Sequence, residues 1–291
     1  MPDLGHDLLF GSFLPPAAAT ADEALRLAAL TESLGLDLVG VQDHPYRGDF
    51  LDAWTLLSVI AARTERVRVF PDVANLPLRP PAVLARAAAT LDILSGGRVE
   101  LGLGAGGFWD AISAMDGPRR TPGESLDALE EAITVLRALW TPGRGVRFEG
   151  TYHRLAGVRP GPEPPHRIGI WVGGYGPRML RLIGRLADGW LPSSPYLPPE
   201  RLAETGRIID QAAEDAGRAP SDIRRLYNIA PSGSFLTGSP AARAERLAEL
   251  ALTHGTSGFV LMADDEDELR RFAAEVVPAV RATVAAERGT P

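Results

Sequence analysis

The chain has 291 residues and a mass of 31.0 kDa, with 45% hydrophobic and 23% charged residues, the balance of a globular protein with a full core. A formal net charge of -7 and a pI of about 5.3 argue against a general nucleic-acid or anionic-membrane binder, because both need a basic face. Cysteine and lysine are absent, so all 30 basic residues are arginine; this excludes thiol nucleophiles, thiolate zinc sites, iron–sulfur clusters, disulfides, Schiff-base lysines and Walker-type phosphate loops.

The start, MPDLGHDLLF, has no basic n-region and no long apolar core. No signal peptide or membrane span is expected, and a soluble cytoplasmic protein is. The first strand-like run is 8–14 (LLFGSFL). After it, Ala24, Leu27, Ala28, Leu30, Thr31 and Leu34 recur at helical spacing, with Thr20 as N-cap and Gly35 as the stop. The run 37–43 (DLVGVQD) precedes a helix over 51–62. The run 67–73 (VRVFPDV) precedes a helix over 82–94, which ends in the turn 95–97. The run 99–105 (VELGLGA) precedes a helix over 123–140. The Gly- and Pro-rich stretch 141–166 is expected to be a hairpin-like excursion, with strands at 146–148 and 152–155 around a Glu149-Gly150 turn. Four more pairs follow: 167–173 with 178–187, 189–193 with 199–216, 224–230 with 240–254, and 258–262 with 265–287.

Most of these runs are almost continuously apolar, as for strands covered on both faces. Eightfold strand–helix alternation predicts an α/β fold, a (β/α)8 TIM barrel forming a single domain over 1–291. An open doubly wound sheet is the alternative; the glycine cluster at 102–107 is weak support for it.

In such a barrel the active site lies at the C-terminal ends of the strands. The second strand ends in Gln42-Asp43-His44-Pro45-Tyr46, where His44 can move a proton near neutral pH and Asp43 can meet a ligand or orient the loop. The plainer reading is a loop-capping aspartate beside a surface histidine. The five histidines (6, 44, 153, 166 and 254) form no closely spaced pair, so no metal site is expected. Asp72 falls beside the mouth at the end of the third strand, either as a site residue or as a turn aspartate with a structural Arg79. Gly102 to Gly107 let a flat ligand approach the backbone, with Phe108 and Trp109 as walls, or else relieve close strand packing over a core aromatic pair. Gly173-Gly174-Tyr175-Gly176-Pro177-Arg178 joins a strand to a helix. It offers free amides, a helix dipole and a guanidinium to a phosphate, or else is a simple turn.

Three segments then carry a resemblance: DLVGVQDHPY (37–46), RPPAVLARAAATLDILSGGRVELGLGAG (79–106) and IGIWVGGYGPRMLRLIGRLADGW (168–190). The chain resembles the luciferase-like monooxygenase superfamily, especially its coenzyme F420-dependent oxidoreductases, from about residue 8 to 262. The resemblance implies a luciferase-like barrel that binds F420, or alternatively FMN, at the strand C-termini. It implies an Asp43-His44 pair beside the deazaflavin with His44 as proton donor or acceptor, and a cis peptide at Asp72–Val73. It places Asn75, Gly104, Ala105 and Gly106 near the ring, a phosphate loop over Gly173, Gly174, Tyr175, Gly176, Pro177, Arg178 and Met179, and Ser193 and Ser194 at another ligand-facing strand end.

Two departures narrow the substrate. The family's F420-dependent glucose-6-phosphate dehydrogenases have a catalytic glutamate where this chain has Gly107, and they bind sugar phosphate with lysines. Glucose 6-phosphate is therefore not expected. Phe13, Tyr46, Trp109 and Tyr196 are expected to make a pocket for a less polar small molecule.

The Asp-His pair and the Asp72–Val73 bulge favour an F420-dependent hydride transfer. The alternative is an FMN-dependent monooxygenase fed by a separate flavin reductase; others are a non-catalytic flavin-binding protein and a sugar-phosphate isomerase or lyase. The last conflicts with the missing lysine and the lack of a carboxylate in the Gly104–Phe108 run. A homodimer is expected from the resemblance. Arg47, Arg119, Arg120, Arg178 and Arg181 are candidates to offset the net charge for an acidic cofactor tail.

Overall fold

In the computed structural model, which describes residues 3–230, 235–262 and 265–289, nine of the eleven strands among the described residues form one parallel sheet that curls into a nearly closed barrel. In chain order they are β1 (Leu9–Leu14), β2 (Leu38–Val41), β3 (Arg68–Pro71), β4 (Ala74–Asn75), β5 (Leu101–Gly104), β6 (Val146–Glu149), β7 (Arg154–Val158), β8 (Ile170–Val172), β9 (Gly189–Trp190), β10 (Arg224–Ile229) and β11 (Thr256–Leu261). The main sheet runs β3-β2-β1-β11-β10-β9-β8-β5-β4. The seam between β3 and β5 is stitched by Val69 N–H to the Arg98 carbonyl at 2.8 Å and Glu100 N–H to the Val69 carbonyl at 3.1 Å.

The helices are α1 (Ala21–Ser33), α2 (Ala53–Arg63), α3 (Pro81–Ser95), α4 (Trp109–Ala114), α5 (Pro122–Trp140), α6 (Pro177–Leu186), α7 (Leu202–Asp215), α8 (Pro240–His254), α9 (Glu266–Arg271) and α10 (Val277–Arg288). They cover the outer faces of the strands. Strand residues alternate between two cores. Phe10, Val39, Val69, Leu101, Ile170, Tyr227 and Phe259 point out to the helices. Phe13, Leu38, Phe70, Trp171, Leu191, Leu226 and Val260 fill the barrel itself. Burial on both sides explains why the runs read as unbroken apolar sequence.

Several boundaries differ from the sequence reading. The third strand is two short strands, β3 paired with β2 and β4 paired with β5. They flank the Asp72–Val73 peptide, which is cis. Thr20 occupies the N-cap of α1 but makes no side-chain capping bond; Gly35 does close the helix, in left-handed conformation with φ 75°. The helix expected over 199–216 opens with a 3-10 turn, Pro199–Arg201, before α7. The helix expected over 265–287 is α9, a π-helical turn at Phe272–Val276, and α10. The short helix α4 was not foreseen. Residues 1–2, 231–234, 263–264 and 290–291 of the expected single domain lie outside the described residues.

The excursion before β8 is the antiparallel hairpin β6–β7. It is tied to α5 by Glu131, whose carboxylate accepts the amides of Thr151 at 2.7 Å and of Tyr152 and His153 at 2.9 Å. Among the described residues, no helix is long and apolar enough to cross a membrane.

Candidate active site

At the end of β2, Asp43 is buried and its carboxylate is already engaged. Oδ2 accepts Arg79 Nε at 2.6 Å and the Asn75 amide at 2.8 Å, and Oδ1 accepts Arg79 Nη2 at 2.7 Å. Arg79 Nη2 also reaches Asp52 Oδ2 at 2.7 Å, and Asp52 caps α2 through the Thr55 amide. One guanidinium thus joins the loop after β2, the start of α2 and the segment after β4. A planar fork with two parallel bonds suits this task. Asp43 and Arg79 brace the loop that carries His44.

His44 is half-buried, and its Nδ1 is hydrogen-bonded to the Tyr46 hydroxyl. Phe108 stands edge-on to the imidazole with ring centres 5.6 Å apart, and Phe50 lies at 6.4 Å. Phe108 also contacts Tyr46, at 5.8 Å. Burial holds the His44 pKa below its usual value, against the pull of Asp43. Burial pushes the Tyr46 hydroxyl up to about 12. The pair is therefore a neutral imidazole and a neutral phenol near pH 7.

Asp72, on the strand break, is 7% exposed. Its Oδ1 accepts Asn228 Nδ2 at 3.1 Å, while Oδ2 has no partner. Asn228 Nδ2 also donates to Ser193 Oγ at 3.2 Å, and Asn228 Oδ1 is left without a partner. Asn75 Oδ1 is a third buried, unpartnered oxygen. Burial pushes the Asp72 carboxyl up to about 7, with the Asn228 amide pulling the other way. Ser194 serves the backbone instead, accepting the Ala230 amide at 3.0 Å.

The glycines near this point make room for Val73. A Cβ on Gly104 would lie 2.6 Å from Val73 Cγ2 and one on Gly173 would lie 3.3 Å from Val73 Cγ1, whereas one on Gly102 would run into the Pro71 carbonyl oxygen first. On the side towards which a Cβ would project from Gly104, the space is filled by the Val73 side chain. Gly106, with φ 96°, backs onto Pro77 and the tip of Trp109. Ala105 is buried beside it.

Gly173 and Gly174 lead into α6. Gly176 is its N-cap, no side chain caps it, and Pro177 takes the first turn. The loop is pinned by Trp190 Nε1, which donates to the Gly174 carbonyl at 2.8 Å. Met179 packs under Gly174. Uncapped amides and the helix dipole make this end suited to an anion. Tyr175 and Tyr196 are both exposed and stack with ring centres 6.3 Å apart.

The remaining expected residues scatter. Phe13 lies in the inner barrel core, 9% exposed. Trp109 opens α4 and packs on Gly106, so Phe108 and not Trp109 touches His44. Arg47 pairs with Asp49, Arg119 with Asp110, and Arg178 with Asp127 at 3.4 Å; Arg120 lies over the Tyr152 ring. Much of the expected positive cluster is thus paired with carboxylates. Asn228 was missed because nothing local marks it: its partner Asp72 is 156 residues away. Sequence reads Phe108 as a wall or a core residue; in the structure it is exposed and stands against His44. At the other end, near the start of β8, Arg137, Trp140, His166, Arg167 and Asp188 line a groove of about 520 Å3. That end of such a barrel serves stability.

A family profile described as luciferase-like monooxygenase matches residues 8–289. An F420-dependent glucose-6-phosphate dehydrogenase of Microbacterium testaceum (strain StLB037) is 31% identical over 265 residues, covering 88% of this chain and 76% of that one. Another of that name, from Nocardia farcinica (strain IFM 10152), is 33% identical over 216 residues, covering 71% of this chain and 63% of that one. The chain thus spans between three-fifths and four-fifths of the length of these two relatives. Among solved structures, an F420-dependent secondary alcohol dehydrogenase in complex with an F420-acetone adduct superposes with a TM-score of 0.83 at 22% identity, covering 95% of this chain and 100% of that one. At that identity the likeness is one of fold.

Proposed function

The chain belongs to the luciferase-like monooxygenase family, and from that premise we propose that it is an F420-dependent oxidoreductase acting on a small organic substrate. The observation that carries the cofactor reading is the set of unpartnered oxygens on Asp72, Asn75 and Asn228, all at C-terminal strand ends. Buried polar atoms without partners are costly, and a polar ligand at this mouth would satisfy them. The residues fit a planar, phosphate-bearing group. Asp72, Asn75, Asn228 and Ser193 would meet the ring, Val73 would support it, and Gly173 to Met179 would take the phosphate at the start of α6. The curated relatives carry F420 in their names, which supports the deazaflavin over FMN.

The deazaflavin, when bound, supplies the hydride acceptor or donor at its C5; the protein supplies position and proton handling. In the neutral His44, a hydrogen bond accepted at Nδ1 from the Tyr46 hydroxyl leaves Nε2 as the N–H donor to a substrate carbonyl. The opposite tautomer leaves Nε2 as the base for a substrate hydroxyl. The Tyr46 hydroxyl serves both, since it donates or accepts. Phe108, Phe50, Tyr46, Tyr175 and Tyr196 favour a weakly polar substrate. Gly107 provides no carboxylate and the chain no lysine, so we keep glucose 6-phosphate off the list despite the relatives' names.

The test is turnover of F420 against aldehydes, ketones, enones and alcohols. His44→Ala is expected to bind F420 with unchanged affinity and to lose about 100-fold or more in turnover. Unchanged turnover removes His44 from the reaction. A homodimer is the expected assembly, and sedimentation of the purified protein decides it.

A further inference from the structure

Asp72 carries an unused capacity. It projects from the break between β3 and β4, and Asn228 is the one partner its side chain has among the described residues. Asn228 spends both amide hydrogens, one on Asp72 Oδ1 and one on Ser193 Oγ. Asp72 Oδ2 and Asn228 Oδ1 are both left buried and without a donor. Asp72 is 7% exposed and Asn228 1%, so solvent does not relieve them.

We propose that Asp72 works as a protonated carboxylic acid and donates a hydrogen bond from Oδ2 to a carbonyl edge of the bound deazaflavin ring. The inference rests on the reading that F420 occupies the mouth. Burial without a cation favours the uncharged carboxyl, and its pKa is pushed up to about 7. A carbonyl accepting from Oδ2 raises it further. The charged groups on the surrounding elements are committed elsewhere. Asp43, after β2, is held by Arg79. His44 is bonded to Tyr46. Glu100, before β5, pairs with Arg68, and Arg224 at the start of β10 donates to the Asp7 carbonyl; both lie at the opposite end of the barrel. Arg225 on β10 pairs with Asp210 on α7.

Affinity for the ring then depends on one proton. The acid offers a donor; the carboxylate would set a negative charge against an acceptor. We expect F420 binding to weaken by up to about tenfold per pH unit above pH 7, on top of any change shared with the Asp72→Asn protein. The experiment titrates F420 fluorescence against wild type and Asp72→Asn from pH 5.5 to 9. An affinity ratio between the two that falls with pH above 7 supports the proposal. A constant ratio overturns it while leaving the F420 reading standing. Failure of F420 to bind wild type at any pH overturns both. A second readout needs neither cofactor nor variant folding: the carboxyl carbon signals of 13C-aspartate-labelled apoprotein. One carboxyl titrating near pH 7 is expected; titration of every aspartate near 3.8 or below overturns the proposal.

Discussion

His44 and Asp72 are two titratable groups that burial pushes in opposite senses, each towards its uncharged form. For His44 the sign is that of a depressed cationic group. Hydroxyl oxidation, which needs the free base, should rise with pH through a midpoint below 6.5 and stay flat above it. A pH profile of kcat/KM checks this, and a midpoint well above 6.5 contradicts it. Tyr46→Phe should lower turnover without weakening cofactor binding, because it removes the hydroxyl on Nδ1 and leaves the ring in place. For Asp72 the folded protein holds its proton to about pH 7, whereas an unfolded chain releases it near 3.8. This group's contribution to stability therefore falls as pH rises from about 4 to about 7 and is constant beyond. Urea unfolding of the apoprotein should show Asp72→Asn gaining on wild type across that window; a gap that does not change with pH contradicts the account. The Asp43-His44 pair was legible because two local letters at a strand end carried it. Asn228 was not, because its meaning comes from a residue on another strand that only the closed barrel brings within reach.

At the scale of elements, the site is held by one guanidinium and one side chain in a glycine nest. Arg79 joins three segments through Asp43, Asp52 and the Asn75 amide. Arg79→Met strands a buried carboxylate and should cost about 3–5 kcal/mol, read by chemical denaturation. A loss below about 1 kcal/mol would mean that the clamp is idle. Val73 sits among Gly102, Gly104 and Gly173. Gly104→Ala forces Val73 to move and should weaken cofactor binding, with about 1–3 kcal/mol of overpacking. Intact affinity in that variant would remove Val73 from the ring's support. The glycine run was readable as a place where something comes close. Whether that something is a ligand or the chain's own valine depended on the split between β3 and β4, which an unbroken apolar run does not reveal. The π-helical turn before α10 was hidden because Leu269, Phe272, Val276 and Val280 keep helical spacing through it, and the short α4 because it buries a single residue, Ile112.

Across the whole molecule the parallel ring separates two ends. One gathers the unpartnered oxygens, the half-buried histidine and the uncapped start of α6. The other is closed by paired charges such as Arg68 with Glu100 and Arg137 with Asp188. Eight repeats of one pattern made that architecture legible from sequence, and the hairpin β6–β7 announced itself through glycine and proline. The balance of charge at the mouth was not legible, because arginines that look free in sequence meet Asp49, Asp110 and Asp127 in space. The central claim is that the mouth is built for a deazaflavin. The most direct measurement is a parallel fluorescence titration of the apoprotein with F420 and with FMN. The account predicts F420 binding at least about tenfold tighter than FMN. Tighter FMN binding would contradict it and point to a monooxygenase served by a separate reductase; binding of neither would contradict the cofactor assignment itself.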